Sequence, residues 1–364
     1  MNLYPMLEID IHSLRGNAEY VYNKCKAKGI EITGVVKGAN AIYKCAEAMV
    51  EGGITSLASS RIEQLRALRE GGFQGPLLML RIPMESECQE LVKLADISLC
   101  SQIETIRHLE KAAEAAGVCH EIVLMKDLGD LREGFWKEDD LIEAAKVVEA
   151  SKHLYLKGVG TNLGCYGSVL ATADKLQELV DIARRVEAAI GRPLQWISGG
   201  ASSSFMRVLD GDIPEGVNHL RMGEHILLAR DLDVFYGYDV SPMSQKVFTL
   251  KAQVIEVETK PTHPIGELAV DAFGRKPKYI DRGIRRRAIL AFGKVDVGGF
   301  NEVFPRMEGV EILGGSSDHA ILDVEDAKEE IKVGDILEFD IDYVSLVYLT
   351  GSRNVKLSFV EKGL

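Results

Sequence analysis

Apolar and polar side chains alternate over residues 7–11, the period of a strand with one buried face. From residue 13 to residue 25 the period lengthens to that of a helix, with Leu14, Ala18, Val21, Tyr22 and Cys25 along one side. One rhythm then repeats from residue 33 to about residue 229: a short apolar run, a polar or glycine turn, an amphipathic stretch. The runs predict strands over 33–36, 56–58, 77–80, 97–100, 121–125, 156–160, 195–197 and 219–221. The amphipathic stretches predict helices over 45–51, 62–70, 103–116, 140–150, 173–190 and 203–208. Strands alternating with helices imply a parallel sheet, and eight is the number that closes a (β/α)8 TIM barrel. An open doubly wound sheet is the alternative, but no Gly-x-Gly-x-x-Gly follows the first strand.

Beyond residue 231 the helical period stops. Strands are predicted over 247–257, 287–292, 310–314, 320–324 and 336–341, separated by Gly, Pro and Asp turns. The expected class is therefore α/β: a barrel over residues 12–232 and a mostly antiparallel β domain from residues 1–11 plus 233–364. The boundary is expected within 231–245.

Length agrees with that division, since 364 residues exceed one ordinary domain. Apolar content of 46% and charged content of 27% describe a soluble globular chain, and a net charge of -12 argues against nucleic acid and anionic membrane as partners. No apolar run reaches bilayer length, and the first residues have neither the basic nor the apolar region of a signal peptide. Cys25, Cys45, Cys88, Cys100, Cys119 and Cys165 are scattered with no Cys-x-x-Cys pair, which fits a reduced cytoplasm and no structural zinc.

Candidate chemistry gathers at the predicted strand ends. Thr33-Gly-Val-Val-Lys37-Gly-Ala-Asn40 carries a lysine out of the first barrel strand. Burial there lowers a lysine's pKa, and a neutral amine can form a Schiff base; the plainer alternative is a lysine that escapes to solvent. Asp127-Leu-Gly-Asp-Leu-Arg132-Glu-Gly134 follows the fifth strand and offers a bidentate arginine among carboxylates, or an ion-paired surface loop. Gly160-Thr-Asn-Leu-Gly-Cys165-Tyr-Gly167 follows the sixth, with Cys165 either a reactive thiol or a small packed residue. Ser198-Gly-Gly-Ala-Ser202-Ser203-Ser204 and Arg221-Met-Gly223-Glu224 follow the last two strands, where barrels often hold phosphate. In the β domain, Asp318-His319 could supply acid–base groups, and Tyr343 a phenolic donor. A lysine facing a phosphate cradle, with an arginine between, suggests a phosphorylated aldehyde cofactor joined to Lys37.

These motifs resemble the fold-type III pyridoxal-phosphate enzymes, the alanine racemase family, and most of all its ornithine racemase branch. The likeness also takes in Pro-Ile-Gly-Glu (264–267), Val-Asp-Ala-Phe-Gly-x-Lys-Pro (270–277) and Ser-Ser-Asp-His (316–319), and so spans almost the whole chain. It implies pyridoxal 5'-phosphate held covalently by Lys37, with Arg221 at the ring nitrogen. Ser202 or Ser203, Gly223, the Glu224 backbone and Tyr343 would hold the phosphate. Arg132 would orient the substrate carboxylate or the cofactor phenolate. It implies further a homodimer with shared sites, no metal, and racemisation of an amino acid such as ornithine by Cα proton transfer. Asp127, Asp130 and Glu133 are available to a side-chain ammonium. Three positions depart from alanine racemase proper: Met125 stands at the carbamylated lysine, Phe292 aligns with the tyrosine base, and Tyr43 is displaced. The second proton base is therefore open: Asp318 and His319 come first, because their loop resembles one that enters the neighbouring subunit's site in this fold, and Cys165 next. Rival readings are an alanine, serine or broad-range racemase, a decarboxylase or D-hydroxyamino-acid aldolase of the same fold, a cofactor-free Schiff-base aldolase, and a non-catalytic cofactor-binding protein.

Overall fold

The computed structural model describes residues 3–271, 273–276 and 278–362. Ala272 and Pro277 of the 270–277 motif, and Met1, Asn2, Gly363 and Leu364, lie outside the described residues. The chain forms two compact units, residues 14–244 and residues 1–13 with 245–364. The division falls at the C-terminal end of the expected 231–245 interval, and the short helices Glu224–Leu227 and Arg230–Val234 fall in the first unit.

In the first unit, eight parallel strands close a barrel. After β1 (Met6–Asp10) and α1 (Ile11–Lys26), they run in chain order: β2 (Glu31–Val35), β3 (Ser56–Ser59), β4 (Leu77–Met79), β5 (Ile97–Cys100), β6 (His120–Met125), β7 (Leu154–Gly160), β8 (Trp196–Ser198) and β9 (His219–Met222). The pairing of β2 with β9 closes the ring, setting Thr33 beside Arg221. β3, β5, β8 and β9 are buried along their whole length, which is why they read as continuous apolar runs rather than alternating ones. Val35, Ala58, Leu78, Ile97, Leu99, Val123, Met125 and Trp196 form one packed cluster.

The helices of this unit are α2 (Tyr43–Glu51), α3 (Ile62–Glu70), α4 (Cys88–Leu94), α5 (Ile103–Ala116), α6 (Glu138–Ala150), α7 (Ala173–Ile190), α8 (Phe205–Asp210), α9 (Glu224–Leu227) and α10 (Arg230–Val234). α7 shows the local logic. Thr172 caps it by accepting from the Lys175 amide at 3.3 Å, and Gly191 ends it at φ 75°, a left-handed conformation cheap only for glycine. α4 escaped the sequence reading because seven residues show too few turns for a period to stand out.

In the second unit, β10 (Phe248–Pro261) anchors a sheet of order β12-β15-β10-β11-β14-β13, formed with β11 (Ile284–Leu290), β12 (Val303–Pro305), β13 (Glu311–Gly315), β14 (Ala320–Asp323) and β15 (Ile336–Ile341). A short helix, α11 (Lys294–Val297), follows β11. β1 joins β10 antiparallel and pairs in parallel with β16 (Lys356–Val360), a strand not expected from sequence. Phe292 lies beyond the end of β11 and packs on Phe339 with ring centres 5.5 Å apart. The apolar stretch Tyr343–Gly351 is a helix, α12. Asp342 accepts from the amides of Val344 and Ser345 at 3.0 and 3.2 Å, satisfying the first turn, and Ser345, Leu346, Leu349 and Thr350 form its buried face.

Candidate active site

Loops at the C-terminal ends of the barrel strands bring the barrel candidates together. β2 ends at Val35, one residue short of the expected strand end, and Lys37 opens a single 3-10 turn (Lys37–Ala39) after it. Asn40 and Ala41 follow at φ 47° and 53°, two consecutive non-glycine residues in left-handed conformation. Such backbone is kept only where surroundings impose it. Burial holds the Lys37 amine below its ordinary pKa; the positive charges of Arg132 and Arg221 push the same way, against Cys165 and Glu133. Those four residues are therefore its electrostatic neighbours.

Arg132 lies in the loop after β6. Gly134 closes that loop at φ 138°, and a Cβ there would stand 2.3 Å from the Asp127 amide nitrogen, so no side chain fits. Lys126 ties the loop down, donating from Nζ to the carbonyls of Asp127 (2.5 Å) and Trp136 (3.1 Å). The Arg132 guanidinium donates two bonds to Glu133 and, from Nη1, one to Cys165 Sγ at 2.9 Å. Glu133 thus occupies the bidentate edge expected to receive a substrate carboxylate. Asp127 and Asp130 serve the loops instead. Asp127 accepts from the amides of Gly129 and Leu131, and Asp130 from those of Cys165 and Val169. Glu133 is left as the carboxylate among the neighbours of Lys37.

Across the mouth, the Gly223 amide donates to Ser202 Oγ at 3.2 Å, linking the loops after β8 and β9. A Cβ on Gly223 would lie 3.1 Å from Val35 Cβ and 3.2 Å from the Val35 carbonyl oxygen. Ser203 Oγ donates to the Leu163 carbonyl at 2.7 Å. Behind this cradle comes one 3-10 turn (Ser202–Ser204) and the six residues of α8, so its donors are local amides and hydroxyls rather than a long helix dipole. Glu224 is largely enclosed, with 12% of its side chain exposed; desolvation first, and Asp231 next, push its carboxyl up to about 8, so it is mostly protonated at neutral pH and does not repel an anion. Arg221 donates from Nη1 to Ser198 Oγ (2.6 Å) and from Nη2 to the Thr161 carbonyl (2.8 Å). Burial lowers it to about 10, still cationic at neutral pH. Asn162, beside Thr161, has a buried Nδ2 without a hydrogen-bond partner among the described residues.

Two departures from alanine racemase proper, Tyr43 and Met125, have packed surroundings, and three candidates lie in the second unit. The Tyr43 ring lies against the Gly71–Gly72 turn, where a Cβ on Gly71 would come 2.0 Å from its Cδ2. Met125, at the carbamylated-lysine position, is part of the packed apolar cluster. Asp318 and His319 occupy an exposed turn between β13 and β14 of the second unit, with Ser317 Oγ donating to Asp318 at 2.6 Å. Tyr343 opens α12 in that unit. The sequence reading passed over Ser198 and His219 as site residues. The signal was available, because His219 precedes Arg221 by two and shares its face of β9.

The family "Alanine racemase, N-terminal domain" matches residues 9–231. Over 362 residues, the whole of both chains, the protein is 41% identical to an ornithine racemase of Acetoanaerobium sticklandii. It is 38% identical to a lysine racemase of Thermotoga maritima, covering 99% of this chain and 98% of that one. Alanine racemase of Clostridium difficile 630 superposes with a TM-score of 0.75 at 17% identity, over 100% of this chain and 97% of the other, a likeness of fold.

Proposed function

The chain belongs to the alanine racemase family, and from that premise we propose that it is a pyridoxal 5'-phosphate-dependent racemase of a basic amino acid, ornithine first. One observation carries the reading. A buried amine with a lowered pKa, Lys37, shares its electrostatic surroundings with Arg132, Glu133, Cys165 and Arg221. Its full-length likeness to an ornithine racemase and a lysine racemase supports the basic substrate.

The residues present fit the cofactor. A Cβ on Gly223 would press on Val35 at 3.1 Å, so the backbone is left bare there, and the Asn162 amide is a buried donor without a partner among the described residues. The cofactor, when bound, supplies the electron sink that makes a substrate Cα–H acidic. Lys37 Nζ is the attachment point and carries the proton to and from one face of Cα. Arg221, cationic and fixed by two hydrogen bonds, would face the ring nitrogen as a donor. Ser202 or Ser203, Gly223 and the Glu224 backbone would receive the phosphate, the Ser203 hydroxyl and the Gly223 amide by exchanging their present partners for it. Cys165 Sγ, already receiving a hydrogen bond from Arg132, is our first choice for the proton on the opposite face. Asp318 and His319 are the alternatives, with Tyr343 a further phosphate donor. Glu133 is the carboxylate for the substrate's side-chain ammonium. We expect a homodimer, and a cytoplasmic one, since the six thiols are all unpaired. Among the described residues no helix is long and apolar enough to cross a membrane.

The test is a chiral assay over a panel of amino acids in deuterium oxide. L-Ornithine should yield D-ornithine carrying one deuterium at Cα. Release of carbon dioxide, or cleavage to glycine and an aldehyde, would sink the racemase reading in favour of its rivals. Cys165→Ala should abolish exchange from one enantiomer only; if Asp318→Asn or His319→Gln does so instead, the second base is theirs.

A further inference from the structure

Behind Arg221 a single file of polar side chains crosses the barrel interior. Arg221 Nη1 is 2.6 Å from Ser198 Oγ, Ser198 Oγ is 2.8 Å from His219 Nδ1, and His219 Nε2 is 2.9 Å from Thr33 Oγ1. Thr33 Oγ1 is 2.8 Å from Ser56 Oγ, which reaches the Ile32 carbonyl at 3.5 Å. All five side chains are buried. Five hydrogen bonds in sequence could in principle point either way. Here one end decides, because a guanidinium has donors and no acceptor.

Ser198 Oγ must accept from Arg221. Its own hydrogen then needs an acceptor, and its other partner among the described residues is His219 Nδ1. Nδ1 is therefore the unprotonated nitrogen and Nε2 carries the hydrogen. Nε2–H donates to Thr33, Thr33 to Ser56, and Ser56 to the Ile32 carbonyl. The opposite tautomer would strand the Ser198 hydrogen in a dry interior, the costly half of the hydrogen-bond asymmetry. Burial first, and the positive charges of Arg221 and Lys157 next, oppose a second proton on the ring. Arg221 lies on one side. Trp196 stacks on the ring at 3.7 Å, with Lys157 over the far face of that stack and paired to Glu121. Glu31, the carboxylate facing this stack, accepts from Trp196 Nε1 rather than from the imidazole.

We propose that Ser198, His219, Thr33 and Ser56 form a positioning relay of fixed polarity that keeps Arg221 cationic and aimed as a donor. Every link turns its lone pair towards the guanidinium and its hydrogen away. The dipoles add, and the sum opposes the desolvation that pulls this buried arginine down. The acceptor it serves is an unprotonated heteroaromatic nitrogen; that last step rests on the proposed cofactor, the polarity of the relay does not.

The first experiment is long-range nitrogen–proton NMR on the full chain without cofactor, labelled at histidine and assigned with His219→Gln. His219 should be the neutral Nε2–H tautomer and stay so from about pH 5.5 to about pH 8. The Nδ1–H tautomer, or an imidazolium in that range, overturns the proposal. The second is a double-mutant cycle on the loaded enzyme with Ser198→Ala and Thr33→Val. Each should lower kcat about tenfold with little change in KM, and the pair together should do no more than either alone. Additive losses would mean that the two side chains act separately, and the relay falls. Should Thr33→Val fail to fold, Ser56→Ala replaces it in the cycle with the same expected outcome. If the protein takes up no pyridoxal phosphate, the NMR result still decides the relay, and what falls is the ligand.

Discussion

Glu224→Gln tests the electrostatics of the cradle through folding rather than catalysis. Glu224 opens α9 in a largely enclosed position, and its carboxyl is raised from 4.5 to about 8, by desolvation first and Asp231 second. In the unfolded chain it ionises near the ordinary value. Between those two values the native state binds one proton more than the unfolded state, so stability falls as pH rises. The slope is about 1.4 kcal/mol per pH unit, which makes about 3 kcal/mol between pH 5.5 and pH 7.5. Above about pH 8 both states are ionised and the loss levels off. Glutamine keeps the shape and the acceptor oxygen for the Asp231 amide, 3.4 Å away, but cannot ionise. The assay is urea unfolding followed by tryptophan fluorescence, since both tryptophans, Trp136 and Trp196, lie in the barrel unit. Taking the variant minus wild-type difference at each pH cancels the other titrating groups. That difference should move by about 3 kcal/mol in favour of the variant between pH 5.5 and pH 7.5. A difference that does not change with pH refutes the reasoning.

Three further outcomes follow from the structure. Lys37→Ala should show no visible absorbance on addition of pyridoxal phosphate and lose at least about 10³-fold in turnover, read by spectrophotometry and chiral assay. Gly134→Ala forces a Cβ to 2.3 Å from the Asp127 amide at φ 138° and should cost about 2–3 kcal/mol, read by urea unfolding of the barrel unit. Asp342→Ala removes the cap of α12 and should cost about 1 kcal/mol, read by thermal unfolding and loss of helical circular dichroism.

Much of the site could be read from the chain because barrels place chemistry in one predictable location, the loops after strands. Lys37, Arg132, Cys165 and Ser202 each follow an apolar run and Arg221 lies near the end of one, so counting runs was enough to put them at the same end of the strands. What each does there was less visible. Nothing in the spacing of Arg132 and Glu133 said that the neighbouring carboxylate would take the guanidinium's bidentate edge. Nor did it say that Asp127 and Asp130 would be consumed by backbone amides. Those outcomes depend on which way a loop turns, and Gly134 and Leu131, at positive φ, set that turn.

The chain alone determined the eight-strand rhythm and the change of texture beyond the barrel, because period and turn chemistry are local properties. It left α12 undetermined, since an apolar β-branched run suits strand or helix until Asp342 satisfies its first amides. It left the relay undetermined as well. Thr33, Ser56, Ser198 and His219 are small or ordinary residues up to 186 positions apart, and only closure of β9 onto β2 sets them within hydrogen-bond reach. Once they meet in a space without water, the one group unable to accept a hydrogen bond orients all the others, a constraint that exists in three dimensions and nowhere along the sequence.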